Sequence, residues 1–362
     1  MEHLGSDPTQ KKIKVALLGC TGLVGQQFVR MLDGHPYFEL AALTASPRSA
    51  GKTYHQAVSW SVGGEMPEFV CDRDVLPTSV GSVLDSGARL VFCALPSSAA
   101  QQIEPELRKR GIFVFTNASG RRLDPDVPLL VPEINADHLA LARRQVFEFG
   151  GAIITNSNCT TSGLVLVLKP LEALGLESVT VATYQAISGA GRRGLAAMDI
   201  AANVIPFIRD EERKMTLESK KILGRNEGGV IIPSDLDVNA SCCRVPVRDG
   251  HLLCLRLDFS GEIDIADIEA ALSSFRGVPQ EWDLPSAPER PLIIRREEDR
   301  PQPILDVFAG SPARARGMAV SVGRIRKNGR SVNAAAVVHN TIRGAAGGCL
   351  LNAETALHQG FF

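Results

Sequence analysis

A glycine-rich turn near the start of the chain limits the possible folds more than any other feature. Residues 13–18 form a short apolar run that predicts a buried strand, and a helical pattern follows the turn. Glycines at three-residue spacing let the backbone turn tightly and approach a dinucleotide pyrophosphate at the positive end of the helix. The turn residues assigned to a cofactor are Gly19, Thr21, Gly22, Leu23, Val24 and Gly25. Because the usual spacing is GxGxxG, a plain strand–helix turn stays open as the alternative.

The end of the second predicted strand, residues 38–44, indicates which dinucleotide fits. The chain continues there as Ala45-Ser46-Pro47-Arg48, with no acidic residue. A site for NAD usually carries an acid at this point to hold the ribose hydroxyls, whereas a hydroxyl and a guanidinium suit a 2′-phosphate. We therefore predict NADP, with Ser46 and Arg48 at its phosphate; a merely solvated Arg48 is the alternative.

Strand and helix patterns alternate through the first part of the chain. Apolar runs at 89–94 and 112–116 flank a helical segment at 98–110. Such alternation predicts a Rossmann-like, doubly wound parallel sheet in an α/β fold. We place this NADP-binding domain at residues 1–157.

After residue 158 the chain changes to longer strand-like runs. They lie at 178–187, 252–259 and 318–338, with a hairpin predicted at the Asn-Gly pair in 327–330 and a short strand at 292–294. Helices are predicted at 160–174, where Pro170 bends or shortens the helix, at 264–274 and at 341–359. This grouping predicts an α+β domain with a mixed or antiparallel sheet at 158–340, and a C-terminal helix in 341–362 that completes the first domain.

The composition excludes several classes of partner. The 362 residues carry a formal net charge of -1, without the basic excess that favours nucleic acid or an anionic membrane surface. No apolar run is long enough to span a bilayer, and residues 1–12 are too polar for a signal peptide. The eight cysteines lack paired CxxC spacing, which predicts free thiols, no metal site and a cytoplasmic protein.

Cys159 is the candidate nucleophile, in the segment Asn158-Cys159-Thr160-Thr161 just before a predicted helix. The positive end of the helix dipole is expected to lower the pKa of its thiol, and unpaired N–H groups there could hold an oxyanion. On these grounds alone, a lone cysteine before a helix is more often structural than catalytic.

Four segments in order along the chain resemble motifs of the aspartate-semialdehyde dehydrogenase family, in its archaeal and fungal branch. They are residues 158–161, the segment QAISGAG at 185–191, the segment RVPVRDGH at 244–251 and the segment NTIRGAAGG at 340–348. The resemblance runs from about residue 14 to the C-terminus.

The resemblance implies roles for individual residues. Cys159 would be the nucleophile, His251 the acid–base group and Gln185 an orienting group. Substrate would be held at Arg244 (carboxylate), Glu218 (ammonium), Arg122 and Lys221 (phosphate), and the cofactor near Ser188, Gly189 and Asn340. Without the resemblance, His251 would be a solvated histidine in a turn, and Glu218 with Lys221 a surface ion pair on a helix at 216–223.

The implied reaction is the reversible, NADPH-dependent reduction of L-aspartyl 4-phosphate to L-aspartate 4-semialdehyde and phosphate. It proceeds through a cysteine thioester and belongs to the biosynthesis of lysine, threonine, methionine and isoleucine. The resemblance also implies a homodimer or homotetramer. An acyl-CoA reductase resembling malonyl-CoA reductase, and a non-catalytic NADP-binding protein, are the alternatives.

Four residues depart from the family pattern. Arg192-Arg193 stands where an aromatic residue and a proline or glycine are expected, Cys243 replaces a polar amide residue, and His339 replaces an acid. The arginine pair is expected near the mouth of the active site, so the departure concerns the identity of the substrate more than the type of reaction.

Overall fold

The computed structural model describes residues 11–362. The prediction that residues 1–12 form no signal peptide concerns a segment that lies almost wholly outside the described residues. Within the described part of the chain, no helix has both the length and the apolar character needed to cross a bilayer.

Seven short strands form one parallel sheet. They are β1 (Ile13–Leu18), β2 (Phe38–Ala45), β3 (Val75–Pro77), β4 (Leu90–Cys93), β5 (Phe113–Thr116), β6 (Leu129–Leu130) and β7 (Ile153–Asn156). Their order across the sheet is β3-β2-β1-β4-β5-β7-β6, and all neighbours are parallel. The chain moves outward in opposite directions from β1 and β4, so a crevice opens at their carboxyl ends. The predicted doubly wound sheet is confirmed.

Helices cover both faces of this sheet. They are α1 (Leu23–Leu32), α2 (Tyr54–Ala57), α3 (Glu68–Cys71), α4 (Val80–Asp85), α5 (Ser97–Lys109), α6 (Pro132–Asn135) and α7 (Ala140–Phe149). Successive residues of β1 enter different cores: Val15 packs with α1, and Ala16 packs with α5. Burial on both faces explains why the strands are continuous apolar runs rather than alternating ones.

The second sheet is mixed, as predicted. Its strands are β8 (Leu176–Gln185), β11 (Asp237–Arg244), β12 (His251–Phe259), β13 (Leu292–Arg295), β14 (Val320–Asn328) and β15 (Ser331–Val338); β9 (Arg225–Glu227) and β10 (Val230–Ile232) form a separate ribbon. The order is β11-β8-β12-β15-β14-β13, parallel at both edges and antiparallel between. The predicted hairpin joins β14 to β15, with Gly329 at φ 64° in its turn.

One face of the second sheet is covered by helices and the other is open. The helices of this part are α8 (Cys159–Leu168), α9 (Ala197–Ile200), α10 (Glu211–Ile222), α11 (Ile265–Ser274), α12 (Val278–Glu281) and α13 (Pro303–Asp306). The predicted helix at 160–174 is α-helical only to Leu168 and continues as a 3-10 helix, Lys169–Leu174, which contains Pro170. On the uncovered face, side chains such as Thr180, Cys254 and Arg256 are exposed.

The C-terminal segment returns to the first sheet. A π-helical turn, Ile342–Ala346, precedes α14 (Gly347–His358), so the predicted helix at 341–359 is not regular throughout. The apolar side chains of α14 belong to the same core as β5 and β7 of the parallel sheet. The domain boundaries at 157/158 and 340/341 remain predictions.

Candidate active site

Cys159 is the first residue of α8, where the chain leaves β7. Asn158 caps the helix, because its Oδ1 accepts hydrogen bonds from the backbone N–H groups of Thr160 (2.9 Å) and Thr161 (3.0 Å). These two N–H groups are therefore not available to an oxyanion. Of the four N–H groups that the start of the helix leaves unpaired, that of Asn158 donates to Glu218, so only the N–H of Cys159 is left for that role.

His251 lies behind Cys159, at the start of β12. Its Nε2 is 3.3 Å from the Cys159 Sγ, and its Nδ1 accepts a hydrogen bond of 3.0 Å from the N–H of Ala186. This acceptor role assigns the ring proton to Nε2, which faces the sulfur. The imidazole has no exposed surface, so a solvated turn histidine is the wrong interpretation. Burial, then the positive charge of Arg244, lowers the pKa of His251 to about 3.

The expected lowering of the Cys159 pKa is wrong for this conformation. Burial raises the pKa of the thiol to about 12, and the negative charge of Glu211 adds to the rise. Arg122 and Arg244 act in the opposite sense but do not outweigh burial. The position of Cys159 at a helix terminus can be read from the sequence. The burial of its thiol cannot, because the residues that surround it come from both sheets.

We expect alkylation of Cys159 by iodoacetamide to accelerate steadily between about pH 7 and 10, because only the thiolate reacts and its fraction grows roughly tenfold per pH unit below the pKa. A neutral His251 offers no imidazolium to hold a thiolate at lower pH. Mass mapping of the modified peptide measures the rate, and Cys159→Ser protein gives the background from other thiols, including the exposed Cys254. A rate that levels off below pH 8 would contradict this assignment and indicate a thiolate–imidazolium pair.

Glu211 organises the residues around the nucleophile, and the sequence analysis missed it. Its carboxylate accepts hydrogen bonds from Asn158 Nδ2 (3.0 and 3.1 Å), Thr160 Oγ1 (3.3 Å) and Gln185 Nε2 (3.0 Å). The side chain of Gln185 is thereby fixed beside Cys159. Glu211 was missed because the helix was predicted to begin at residue 216, whereas α10 begins at Glu211 itself.

The structure gives Glu218 and Lys221 partners within the protein. Glu218 accepts hydrogen bonds from Arg122 Nη1 (2.9 Å) and from the N–H of Asn158 (2.6 Å). The Lys221 ammonium donates to three backbone carbonyls, those of Arg122, Asp124 and Val127, each at 2.8 Å. Burial lowers the pKa of Lys221 to about 8.

One cavity of about 460 Å³ connects most of the predicted site residues. Its walls include Gly22, Leu23, Val24, Arg122, Cys159, Gln185, Ser188, Gly189, Arg244 and Asn340, together with Glu211 and Lys214. Within residues 11–362, Glu218 and Lys221 do not line it. Glu211 and Lys214 stand two helical turns before them, with the same three-residue spacing on the same face of α10.

Close packing fixes the loop that carries Gly189. Arg244 Nη1 donates to the carbonyl of Ala186 (2.7 Å), and Asn340 joins Ser188 Oγ (2.8 Å) to the N–H of Gly250 (2.9 Å). A Cβ on Gly189 would lie 2.7 Å from Arg244 Nη1. The loop is therefore held against both the candidate substrate-binding arginine and the C-terminal segment.

The glycine turn after β1 fits a dinucleotide. Gly19 has φ 84°, and a Cβ on Gly25 would lie 2.2 Å from the Gly19 carbonyl oxygen, so α1 can start close to the strand only with glycine there. Gly22, at the N-cap of α1, borders the cavity that contains Cys159. Gly19 and Thr21 shape the turn without lining that cavity.

Ser46 and Arg48 follow the carboxyl end of β2 in a tight turn. The carbonyl of Ser46 accepts hydrogen bonds from the N–H groups of Ser49 (2.9 Å) and Ala50 (3.1 Å). The side chains of Ser46 and Arg48 are exposed where the strands end, and β2 is the neighbour of β1 in the sheet. They lie outside the cavity that contains Cys159.

The π-helical turn packs directly against the nucleophile. A Cβ on Gly344 would lie 2.6 Å from both Cα and Cβ of Cys159, so only glycine fits. The N–H of Gly344 bonds to the carbonyl of His339 five residues earlier. A widened turn of this kind inside a helix frequently marks a functional site, and here it brings the backbone into contact with Cys159.

Comparisons with known proteins agree with this geometry. A family model described as "Semialdehyde dehydrogenase, NAD binding domain" matches residues 14–142, and one described as "Semialdehyde dehydrogenase, dimerisation domain" matches residues 168–343. The aspartate-semialdehyde dehydrogenase of Methanothermobacter thermautotrophicus is 45% identical over 348 residues, which cover 94% of this chain and 98% of that protein. The malonyl CoA reductase (NADP) of Metallosphaera sedula is 35% identical, covering 97% and 99%.

A solved structure gives the same result in three dimensions. The aspartate semialdehyde dehydrogenase of Candida albicans, solved with NADP, superposes with a TM-score of 0.86 at 37% sequence identity, covering 97% of this chain and all of that one. The similarity spans both sheets and the cavity between them. The chain therefore belongs to the semialdehyde dehydrogenase family.

Proposed function

We propose that the protein is an NADP-dependent aspartate-semialdehyde dehydrogenase, which interconverts L-aspartyl 4-phosphate and L-aspartate 4-semialdehyde in amino-acid biosynthesis. The observation that carries this proposal is the cavity in which Cys159, with His251 3.3 Å from its sulfur, meets Arg122, Arg244 and the carboxylate of Glu211. An acyl phosphate that also carries an α-carboxylate and an α-ammonium needs this combination of charges. Eight free cysteines within the described residues support a cytoplasmic enzyme.

The chain's own groups account for the covalent step. The Cys159 sulfur bonds to the acyl carbon, the bond from that carbon to the phosphate oxygen breaks, and phosphate leaves with the electron pair and takes up the thiol proton. The negative oxygen of the tetrahedral intermediate has the N–H of Cys159 as a donor. NADPH, when bound, supplies the hydride that reduces the resulting thioester.

His251 faces the sulfur through its Nε2–H. When the Cys159 thiohemiacetal collapses to the aldehyde, Nε2–H donates a hydrogen bond to the sulfur as negative charge returns to it, and the ring keeps its proton. The hydrogen bond from the Ala186 N–H occupies Nδ1 and disfavours a doubly protonated ring. His251 therefore acts from its neutral form, in keeping with a pKa well below neutrality.

Three groups of residues are proposed to hold the cofactor. The turn from Gly19 to Gly25 would receive the pyrophosphate at the N-terminus of α1, and Ser46 with Arg48 the 2′-phosphate. Ser188, Gly189 and Asn340 would face the nicotinamide end, since they line the same cavity as Cys159. The solved Candida albicans relative with NADP supports this choice of dinucleotide.

For the substrate we propose a set that differs in two positions from the one implied by sequence. Arg244 holds the α-carboxylate, and Arg122 remains at the phosphate. Glu211, rather than Glu218, receives the ammonium, and Lys214, rather than Lys221, joins Arg122. The reason is that Glu211 and Lys214 line the cavity, whereas the ammonium of Lys221 is fully engaged by backbone carbonyls.

Glu211→Gln is expected to raise KM for the semialdehyde roughly tenfold to a hundredfold, because the substrate ammonium loses a hydrogen bond to a charged carboxylate. Steady-state kinetics with varied semialdehyde measure the effect. Glu212→Gln is the matched control, since Glu212 sits on the same helical turn but bonds to the Cys242 N–H (3.1 Å) away from the cavity. If Glu211→Gln leaves KM unchanged while Glu218→Gln raises it, the ammonium belongs at Glu218.

We further propose that the protein forms a homodimer, or a homotetramer built from such dimers, through the open face of the second sheet. Large apolar side chains are exposed there and beside its β11 edge: Tyr184 (39%), Met198 (91%) and Phe207 (63%). Ile205, which pairs with Arg244, ties the segment around Phe207 to β11. The dimerisation-domain match over residues 168–343 supports this surface, and sedimentation equilibrium tests it.

A spectrophotometric assay at about 340 nm separates this function from the reduction of a CoA thioester. That second function is suggested by the similarity to the malonyl CoA reductase (NADP) of Metallosphaera sedula. We expect phosphate-dependent NADPH formation from L-aspartate 4-semialdehyde, and much slower reduction of NAD. No turnover with the semialdehyde, together with NADPH consumption in the presence of malonyl-CoA, would assign the protein to the CoA-thioester reaction instead.

A further inference from the structure

A second cavity adjoins the one that contains Cys159. Its volume is about 600 Å³, and it shares Leu23, Ser188, Gly191, Arg192 and Thr341 with the first cavity. Because the two spaces share five wall residues, they lie side by side, and together we call them the cleft.

Positive charge dominates the rim of the second cavity. Arg192 and Arg193 are exposed there, and within residues 11–362 no carboxylate oxygen lies within 4.0 Å of either guanidinium. Arg248 also lines it, partly neutralised by Asp249 at 3.4 Å. Two exposed guanidiniums without a carboxylate partner in the described part of the chain thus line the second cavity.

The opposite wall is held in place by hydrogen bonds. Gln26 accepts from the N–H of Ser61 (2.8 Å) and donates to the carbonyl of Ser59 (3.3 Å), while Arg30 donates to the carbonyl of Val62 (3.3 Å). Arg248 donates to the carbonyl of Ser61 at 2.6 Å, which joins this wall to the arginine rim. The cavity is therefore preformed rather than dependent on a ligand to open it.

The proposed cofactor contacts do not account for these charges. The 2′-phosphate is assigned to Ser46 and Arg48 and the pyrophosphate to the glycine turn; of these phosphate-binding residues, only Leu23 lines the second cavity. Ser188 also lines it, but it is assigned to the nicotinamide end of the cofactor and not to a phosphate. The substrate groups are likewise matched in the first cavity. Arg192 and Arg193 are left without an anion.

We propose that Arg192 and Arg193 form an anion-capture site that draws dianionic phosphoryl species into the cleft. The species are orthophosphate when the aldehyde is oxidised and the acyl phosphate in the reverse direction, so the inference rests on the proposed function. Two adjacent cations at the mouth raise the local concentration of a dianion before it reaches Arg122. The effect is electrostatic, so it depends on ionic strength.

The test is the double variant Arg192→Gln/Arg193→Gln, assayed for aldehyde oxidation with varied orthophosphate. We expect KM for phosphate to rise roughly tenfold at about 0.02 M ionic strength and to approach wild type at about 0.5 M, because screening there removes the attraction. The kcat should stay within about twofold, because capture precedes the chemical step. Arg192→Lys/Arg193→Lys, which keeps both charges, should behave like wild type.

Arg290→Gln/Arg330→Gln is the matched control, since both arginines are exposed and neither lines the cleft. An unchanged salt dependence in the Arg192/Arg193 variant would overturn the proposal. So would a change confined to the KM for NADP, which would assign the pair to the cofactor.

A binding measurement separates this inference from the function on which it rests. Broadening of the phosphorus-31 resonance of orthophosphate at low ionic strength, compared between wild type and the glutamine double variant, needs no turnover. Less broadening in the variant supports capture even if wild type fails to oxidise the semialdehyde, in which case only the proposed function falls. Equal broadening rejects the capture site.

Discussion

Replacing Cys159 with serine should reduce turnover by about four orders of magnitude or more while leaving the protein folded. A serine hydroxyl is a much weaker nucleophile and ionises less readily, and no thioester can form from it. Because Sγ and Oγ are similar in size, the hydrogen bond to His251 Nε2 can persist. The measurement is kcat for semialdehyde oxidation, with the melting temperature and NADP affinity taken on the same samples.

The control for this variant is Cys71→Ser, which changes a free thiol on α3, away from both the cavity and the second sheet, and should keep full activity. Mass spectrometry supplies a second readout, because wild type quenched during turnover should carry an acyl adduct on the peptide of Cys159. If the serine variant kept more than about a hundredth of wild-type kcat, the covalent route through Cys159 would be excluded.

The elements of the parallel sheet were largely predictable from local patterns. Strands buried on both faces are apolar runs, and the glycine turn after β1 carries its own steric reason, since a side chain at Gly25 would collide with the backbone of Gly19. The hairpin between β14 and β15 follows from an Asn-Gly pair. In each case the information is local and is not overridden by packing.

The relations inside the site could not be deduced in this way. Cys159 and His251 are 92 positions apart and meet only because α8 packs beneath the sheet in which β12 is paired with β8. The raised pKa of the thiol has the same origin, because the burial that causes it comes from elements distant in sequence. The family resemblance identified both residues, but no local pattern carried the sign of the pKa shift.

The change that we propose in the substrate set has a specific origin. α10 begins at Glu211, five residues before the predicted start, and the repeated Glu–Lys spacing put Glu218 and Lys221 in the place of Glu211 and Lys214. Helix starts are hard to place when no capping residue marks them, and Asp210 caps α10 without a side-chain hydrogen bond. A shift of two turns keeps the face of the helix but changes which charges reach Cys159.

The second large effect is expected at the buried ion pair between Arg343 and Glu133. Their side chains are 1% and 0% exposed, respectively. Their two bonds, of 2.5 and 2.7 Å, connect the π-helical turn to α6 across 210 positions of sequence. Arg343→Met leaves a carboxylate buried without its partner, which should reduce the free energy of unfolding by about 3–5 kcal/mol. Urea denaturation followed by circular dichroism measures the loss.

The double variant Arg343→Met/Glu133→Leu decides whether the cost comes from the lost attraction or from the stranded charge. Replacing both partners removes the buried charge altogether, so the double variant should be more stable than Arg343→Met alone. Additive losses would instead mean that the two side chains contribute independently.

Because Gly344 follows Arg343 and touches Cys159, a displaced turn should also lower kcat, and the double variant should recover stability more fully than activity. Equal recovery of both would show that the position of the turn does not depend on the ion pair.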